Sequence, residues 1–167
     1  HFIKRDGSLW AMGRNAAGEL GDGTKISRNT PVKIWNSGAV KIATAGVSTY
    51  VIKDDETLWA TGRNTSGELG IGNNTDTSSF QQVINGTSVV AVAGGQDHAL
   101  FLKKDGSVWA MGMGNNGQIT GNSNQNTPIK IIDSGVKAIA AGAYHSLFLK
   151  SDSSLWGVGY NGKGSLG

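Results

Sequence analysis

Chemistry in this chain of 167 residues would have to come from three histidines, twelve acidic side chains and the hydroxyl residues, because it contains no cysteine. Thiolate catalysis, disulfides and cysteine-ligated zinc are excluded, while the redox compartment stays open. His98 and His145 are the natural candidates, since imidazole titrates near neutrality and ligates metals. They lie 47 residues apart in similar contexts, AGGQDHALFLKKDGSVW and AGAYHSLFLKSDSSLW. A third copy of the context carries Ser48 at the matching position, so the series yields no three-ligand zinc site. Asp97 stands beside His98, but neighbours on a strand point to opposite faces and no GxSxG nucleophile elbow occurs. A catalytic triad is rejected, and both histidines are expected to make structural hydrogen bonds.

The remaining polar patterns lead to the same place. Glu19 and Glu68 share a register with Gln118 and Ser165, which speaks against general acid chemistry and for a turn residue. The stretches GNNTDTSS from Gly72 and GNSNQN from Gly121 lack the DxDxDG ligand order of a calcium loop and read as solvated hairpin loops. Glycine and asparagine recur together, yet no GxxxxGK[ST] string is present to cradle a phosphate. No cofactor, no metal and no enzymatic activity are expected.

These residues are positioned by a repeat. DGSLWAMGRNAAGELG from Asp6, DETLWATGRNTSGELG from Asp55, DGSVWAMGMGNNGQITG from Asp105 and DSSLWGVGYNGKGSLG from Asp152 superpose, with Trp10, Trp59, Trp109 and Trp156 spaced by 49, 50 and 47 residues. A second block precedes the tryptophan in three units, VKIATAGVSTYVIK, VVAVAGGQDHALFLK and VKAIAAGAYHSLFLK, each an apolar run, a glycine turn and an alternating run. A third short run, at Pro31, Phe80 and Pro128, is read as opening the unit. Each run has strand character and one period therefore holds four short strands, the content of a propeller blade. The fold class is all-β: propeller blades of four antiparallel strands, about 3.5 blades and 14 strands, with a partial blade at 1–30 and blades at 31–79, 80–127 and 128–167.

Composition agrees. Twenty-six glycines against two prolines recur at fixed places between apolar runs, as turn punctuation in an all-β chain. The net charge is +3, but the basic residues are scattered, with pairs at Lys4–Arg5 and Lys103–Lys104, so nucleic acid is disfavoured as a partner. No apolar stretch reaches the ~20 residues of a membrane span, and HFIKRDGS lacks the features of a signal peptide, so the chain is expected to be soluble.

The histidine contexts, the DG turns, the aromatic strands and the closing NAAGELG, NTSGELG and NGKGSLG resemble the regulator-of-chromosome-condensation repeat family along essentially the whole chain. The resemblance implies a seven-bladed propeller, which at this period needs roughly 350 residues. The chain is then about half a ring, with a segment of a longer chain favoured over a self-assembling half-ring. There are departures. The family's tryptophan just before the strand-ending glycine is replaced by Met12, Thr61, Met111 and Val158, while this chain carries its tryptophan two residues earlier on the same face. The second unit is one residue short between Gly46 and Lys53, which places Ser48 where the others have histidine, and the third ends in Ile119 and Thr120 instead of LG, so both are expected to be locally irregular. The loop before the histidine holds Gln96, Asp97 and Tyr144 in place of the tryptophans of the family's plant UV-B photoreceptor, which disfavours that role.

A residue present in every unit serves the blade before it serves a site. By that filter Trp10, Trp59, Trp109, Trp156, Gly18, Gly67, Gly117, Gly164, His98 and His145 are structural, Asn15, Asn64 and Asn161 hold turns, and Trp35 is a buried apolar residue. Partner-binding candidates lie where the units disagree: Arg14, Arg63, Met113 and Tyr160 after the aromatic strand, and Gln96, Asp97 and Tyr144, with Val47 and Ala143, in the loop before the histidine. The leading function is a non-enzymatic protein-binding scaffold acting through loop tips. The alternatives are a structural subunit joined through exposed blade edges, and a guanine-nucleotide exchange or chromatin-binding segment. The expected partner is a protein, or other copies or the remaining blades of a longer chain. The Asn, Ser, Thr and Gly richness resembles bacterial secreted members and points to an extracellular or cell-surface setting over a nuclear one.

Overall fold

The computed structural model describes every residue except Thr120, so the irregularity expected there lies outside the described residues. The described residues form fourteen strands and no helix. In chain order they are β1 (Phe2–Ile3), β2 (Leu9–Gly13), β3 (Arg28–Trp35), β4 (Ala39–Ala45), β5 (Ser48–Lys53), β6 (Leu58–Gly62), β7 (Thr77–Gln82), β8 (Val89–Gly94), β9 (His98–Lys103), β10 (Val108–Gly112), β11 (Gln125–Ile132), β12 (Val136–Ala141), β13 (His145–Lys150) and β14 (Leu155–Gly159).

They pair into four antiparallel sheets, β1-β2-β3, β4-β5-β6-β7, β8-β9-β10-β11 and β12-β13-β14. Two blades are complete and the two outer ones have three strands each. The strand total is the expected one, but the blade boundaries differ from 1–30, 31–79, 80–127 and 128–167. The runs at Pro31, Phe80 and Pro128 do not open a blade. β3, β7 and β11 hydrogen-bond to β2, β6 and β10 and close the preceding sheet at its outer edge, and the chain then crosses to the next blade in a short turn.

Consecutive sheets stack face to face, which explains why their central strands read as nearly continuous apolar runs. In β9, Phe101 joins Tyr50, Ile52, Leu58 and Ala60 of the preceding blade, while Leu100 and Leu102 join Val136 and Phe148 of the following one. Leu9, Val51 and Phe80, with Trp35 and Trp59 packed against them, fill the first junction, and Trp35 lies 4.8 Å from Phe80 between ring centres. Trp35 packs as an apolar residue, as expected, but it is half-buried and not buried. The backbone also crosses each junction in the same way: Gly7, Glu56 and Gly106 carbonyls accept the amides of Ala39, Val89 and Val136 at 3.0, 3.0 and 3.2 Å.

Each of the four tryptophans closes a hairpin, and Trp59 and Trp109 also pack against the buried clusters. Trp10, Trp59 and Trp109 are half-buried and Trp156 is 57% exposed. Each indole Nε1–H donates to the hydroxyl two residues earlier, Ser8, Thr57, Ser107 or Ser154, at 2.8–3.2 Å. That hydroxyl and its amide in turn donate to Asp6, Asp55, Asp105 or Asp152, which holds each carboxyl below its usual range. Lys4, Lys53, Lys103 and Lys150 lie over the same rings, 4.0–5.2 Å from the centroid. The repeat is a hairpin clasp, and the fully buried neighbours Leu9, Leu58 and Val108 do the packing.

Candidate functional site

One end of the sheets gathers the loops that differ between units. There β4, β8 and β12 turn into β5, β9 and β13, and β2, β6, β10 and β14 end at glycine. The two features are tied together: Arg63, Met113 and Tyr160 amides donate to the carbonyls of Val47, Asp97 and Tyr144 at 3.2, 2.7 and 2.9 Å. Val47, Asp97 and Tyr144 are therefore equivalent positions, and this rim carries every partner-binding candidate. Gly46, Gly95 and Gly142, with Val47, Gln96 and Ala143, line a cleft of about 500 Å³ along it.

The candidates do not share one fate. The Arg63 guanidinium reaches from its own blade to the next, pairing with the Asp97 carboxylate, bonding the Gln96 carbonyl at 3.4 Å and holding Glu68 Oε1 at 3.1 Å. The Gln96 amide donates to Ala143 O at 3.0 Å, which links the loops of the third and fourth blades. Arg63, Asp97 and Gln96 form a crosslink between blades in this structure, although Gln96 remains exposed. Arg14 is different: its side chain is 73% exposed, and Glu19 stands 3.9 Å away. Tyr160 is 45% exposed, and Met113 and Tyr144 are half-buried.

The acids beside these arginines are turn residues, as their register indicated, and they also stand against the arginine of their own blade, which the register comparison missed. Glu19 and Glu68 each accept a backbone amide of their own turn, Ala17 or Ser66, at 2.8 and 2.7 Å, and Gln118 does the same for Asn116 at 2.8 Å. The carboxylate occurs in the units that carry arginine five residues earlier, and the amide in the unit that carries Met113. That covariation inside the chain was the readable signal of an ion pair. Glu68 and Gln118 are fully buried, so a charge there needs a partner.

His98 is also fully buried, its ring packed on Gly95, and its Nε2 lies 3.0 Å from Ser146 Oγ of the next blade. Ser146 donates onward to the Gln118 carbonyl at 2.7 Å, so Nε2 carries the proton of a neutral imidazole. Burial, with His145 nearby, lowers the His98 pKa to about 4. Asp97 turns back to Arg63 while His98 turns forward to Ser146, and the pair does not converge. Thr49, Tyr50 and Ser146 each donate to the carbonyl of Glu19, Glu68 or Gln118, at 2.9, 2.6 and 2.7 Å. Thr49 and Ser146 reach across a junction and Tyr50 acts within its own blade, and this variety concealed the pattern in the sequence. Asn15, Asn64 and Asn161 accept the amides of Leu20, Leu69 and Leu166 at 2.9 Å, as turn residues should.

Gly18, Gly67, Gly117 and Gly164 all have positive φ, and at Gly67 a Cβ would run into the backbone of Asn126. Among the described residues no three His, Asp or Glu side chains gather as metal ligands.

This blade, repeated with its clasp, its buried turn and its junction bonds, matches the Regulator of chromosome condensation (RCC1) repeat over residues 6–51, 55–102 and 105–149, and a second form of that repeat over 89–118 and 136–165. The chain belongs to the RCC1 repeat family. Human WBSCR16 shares the fold with a TM-score of 0.82 at 23% identity, over 94% of this chain and 43% of that one. Yeast RCC1 (Prp20), in a structure bound to Kap60, gives 0.82 at 19% identity, over 96% and 41%. Prp20p from Saccharomyces cerevisiae, described with its binding to Gsp1p and histones, gives 0.81 at 24% identity, over 95% and 42%. The chain thus spans less than half the length of these three solved structures, and it forms an incomplete ring. No curated protein matches it in sequence.

Proposed function

We propose that the chain is a non-enzymatic protein-binding scaffold that recognises its partner through the loop tips of the rim carrying Arg14, Tyr144 and Tyr160. The observation that carries this reading is the division of the unrepeated residues: Arg63 and Asp97 are spent on a blade crosslink, whereas Arg14 and Tyr160 stay exposed on the same rim. Arginine and tyrosine there, on stacked sheets, suit recognition. A non-catalytic role is supported by His98, whose Nε2 is committed to the blade junction, and by the carboxylates of Glu19 and Glu68, each held by a turn amide.

Replacing Arg14, Tyr144 and Tyr160 together with alanine is expected to weaken a captured partner at least tenfold and leave the melting temperature within a few degrees, the size expected of surface changes. Unchanged affinity would overturn the proposal. Arg63 is left out of this set because its loss would disturb the fold.

Two other readings each have one observation behind them. Assembly through blade edges is favoured by Leu155 and Trp156 of β14, 67% and 57% exposed, and a monomeric mass in solution with a cooperative melt would remove it. Binding of a Gsp1-type GTPase or of histones is favoured by the binding described for Prp20p, and absence of binding at low salt would remove it.

A further inference from the structure

Arg14 and Arg63 hold the same position in successive blades, each following the glycine that ends the aromatic strand and preceding a buried asparagine. At the junction of the second and third blades, Arg63 has a second acid besides Glu68, the Asp97 carboxylate of the neighbouring loop. At the junction of the first and second blades the residue equivalent to Asp97 is Val47, as the matching amide bonds show. Arg14 therefore faces an apolar side chain where its counterpart faces a carboxylate. Its own acid, Glu19, is 3.9 Å away and already accepts the Ala17 amide through the other oxygen. Between the two blades lies an open cleft of about 270 Å³, lined among others by Met12, Arg14, Glu19, Thr44, Val47 and Ser48.

We propose that this cleft binds the carboxylate of an aspartate or glutamate presented on an extended loop of a partner protein, which completes at Arg14 the contact that Asp97 makes at Arg63. The guanidinium fork matches a carboxylate through paired N–H bonds, and the apolar wall of Met12 and Val47 shields the pair from water. The Arg14 side chain is 73% exposed against 29% for Arg63, as expected of the same device lacking its second acid. This assignment rests on the reading of the rim as a protein-recognition surface and names the chemistry of one contact within it.

The probe is the chain's own solution to the problem, a capped peptide GGQDHAL copying residues 94–100, titrated into the whole labelled protein and followed by NMR. Saturable shifts are expected at the Arg14 Nε–H and at the Val47 and Ser48 amides. They should weaken at least fivefold when the peptide carries asparagine in place of its aspartate, and disappear in Arg14→Gln. A Val47→Asp variant supplies the acid internally; it should keep or raise the melting temperature and no longer take up the peptide. Equal response to the asparagine peptide, undiminished binding by the folded Val47→Asp variant, or a stronger response to inorganic phosphate than to the peptide would each overturn the carboxylate assignment. If the peptide fails while the triple alanine variant still loses its partner, the rim reading stands and the carboxylate site falls.

Discussion

Arg63→Met is expected to destabilise the chain by about 3 kcal/mol, and adding Glu68→Gln to that variant is expected to recover most of the loss. Removing the guanidinium strands two acids at once: Glu68, whose side chain is 1% exposed, and Asp97 in the adjoining loop, 17% exposed. A carboxylate buried as deeply as Glu68 then keeps only the Ser66 amide to offset its lost hydration. Glu68→Gln then recreates the pairing that the third blade already uses, Met113 with Gln118. Recovery should be incomplete, because Asp97 keeps its charge and the Gln118 amide nitrogen has no hydrogen-bond partner in its own blade. In a chain of this size the single variant should melt roughly 10 °C lower. Denaturant midpoints of the two single variants and the double give the Arg63–Glu68 coupling directly, and strictly additive losses would show that the two side chains do not act as an ion pair.

Acidification is the second large effect. His98 is neutral in the fold with a pKa of about 4, against an unfolded value of 6.5. Between these values the unfolded chain binds the proton that the folded chain refuses, so stability rises with pH across that window and is flat above it. Lowering the pH from 6.5 to 4 should remove up to about 3 kcal/mol, the 1.36 kcal/mol per pKa unit acting over the whole shift. The aspartates of the hairpin clasps, held below 3.8 by their Ser or Thr partners, contribute stability that is lost from about pH 5 downward, so the loss between pH 6.5 and about 5 belongs to His98. In His98→Gln, unfolding free energy measured at each pH should stay level between 6.5 and about 5.

The blades were legible because the repeat gives four aligned copies of the clasp and the buried turn. The boundaries were not. Residues 14–27 separate β2 from β3, whereas only 36–38 separate β3 from β4. The run at Pro31 lies nearer in the chain to β4, yet its ladder is with β2. Loop length does not say which edge a strand completes, since a flexible loop grows costly only slowly with length. Similarly, disagreement between units pointed to the exposed Arg14 and Tyr160 and equally to Arg63 and Asp97, which meet only because their blades are adjacent. Sequence separation hides that contact, while the match of arginine with Glu19 and Glu68, and of Met113 with Gln118, records half of it.

The most direct measurement of recognition through one rim is site-specific photo-crosslinking from both ends of the same strands, performed with the captured partner. A crosslinking residue at Arg14, Tyr144 or Tyr160 should join the partner. The same residue at Asp54, Lys104 or Ser151, exposed in the turns at the opposite end, should not. Adducts confined to Asp54, Lys104 and Ser151 would place the partner on the wrong end of the blades and contradict the proposed function.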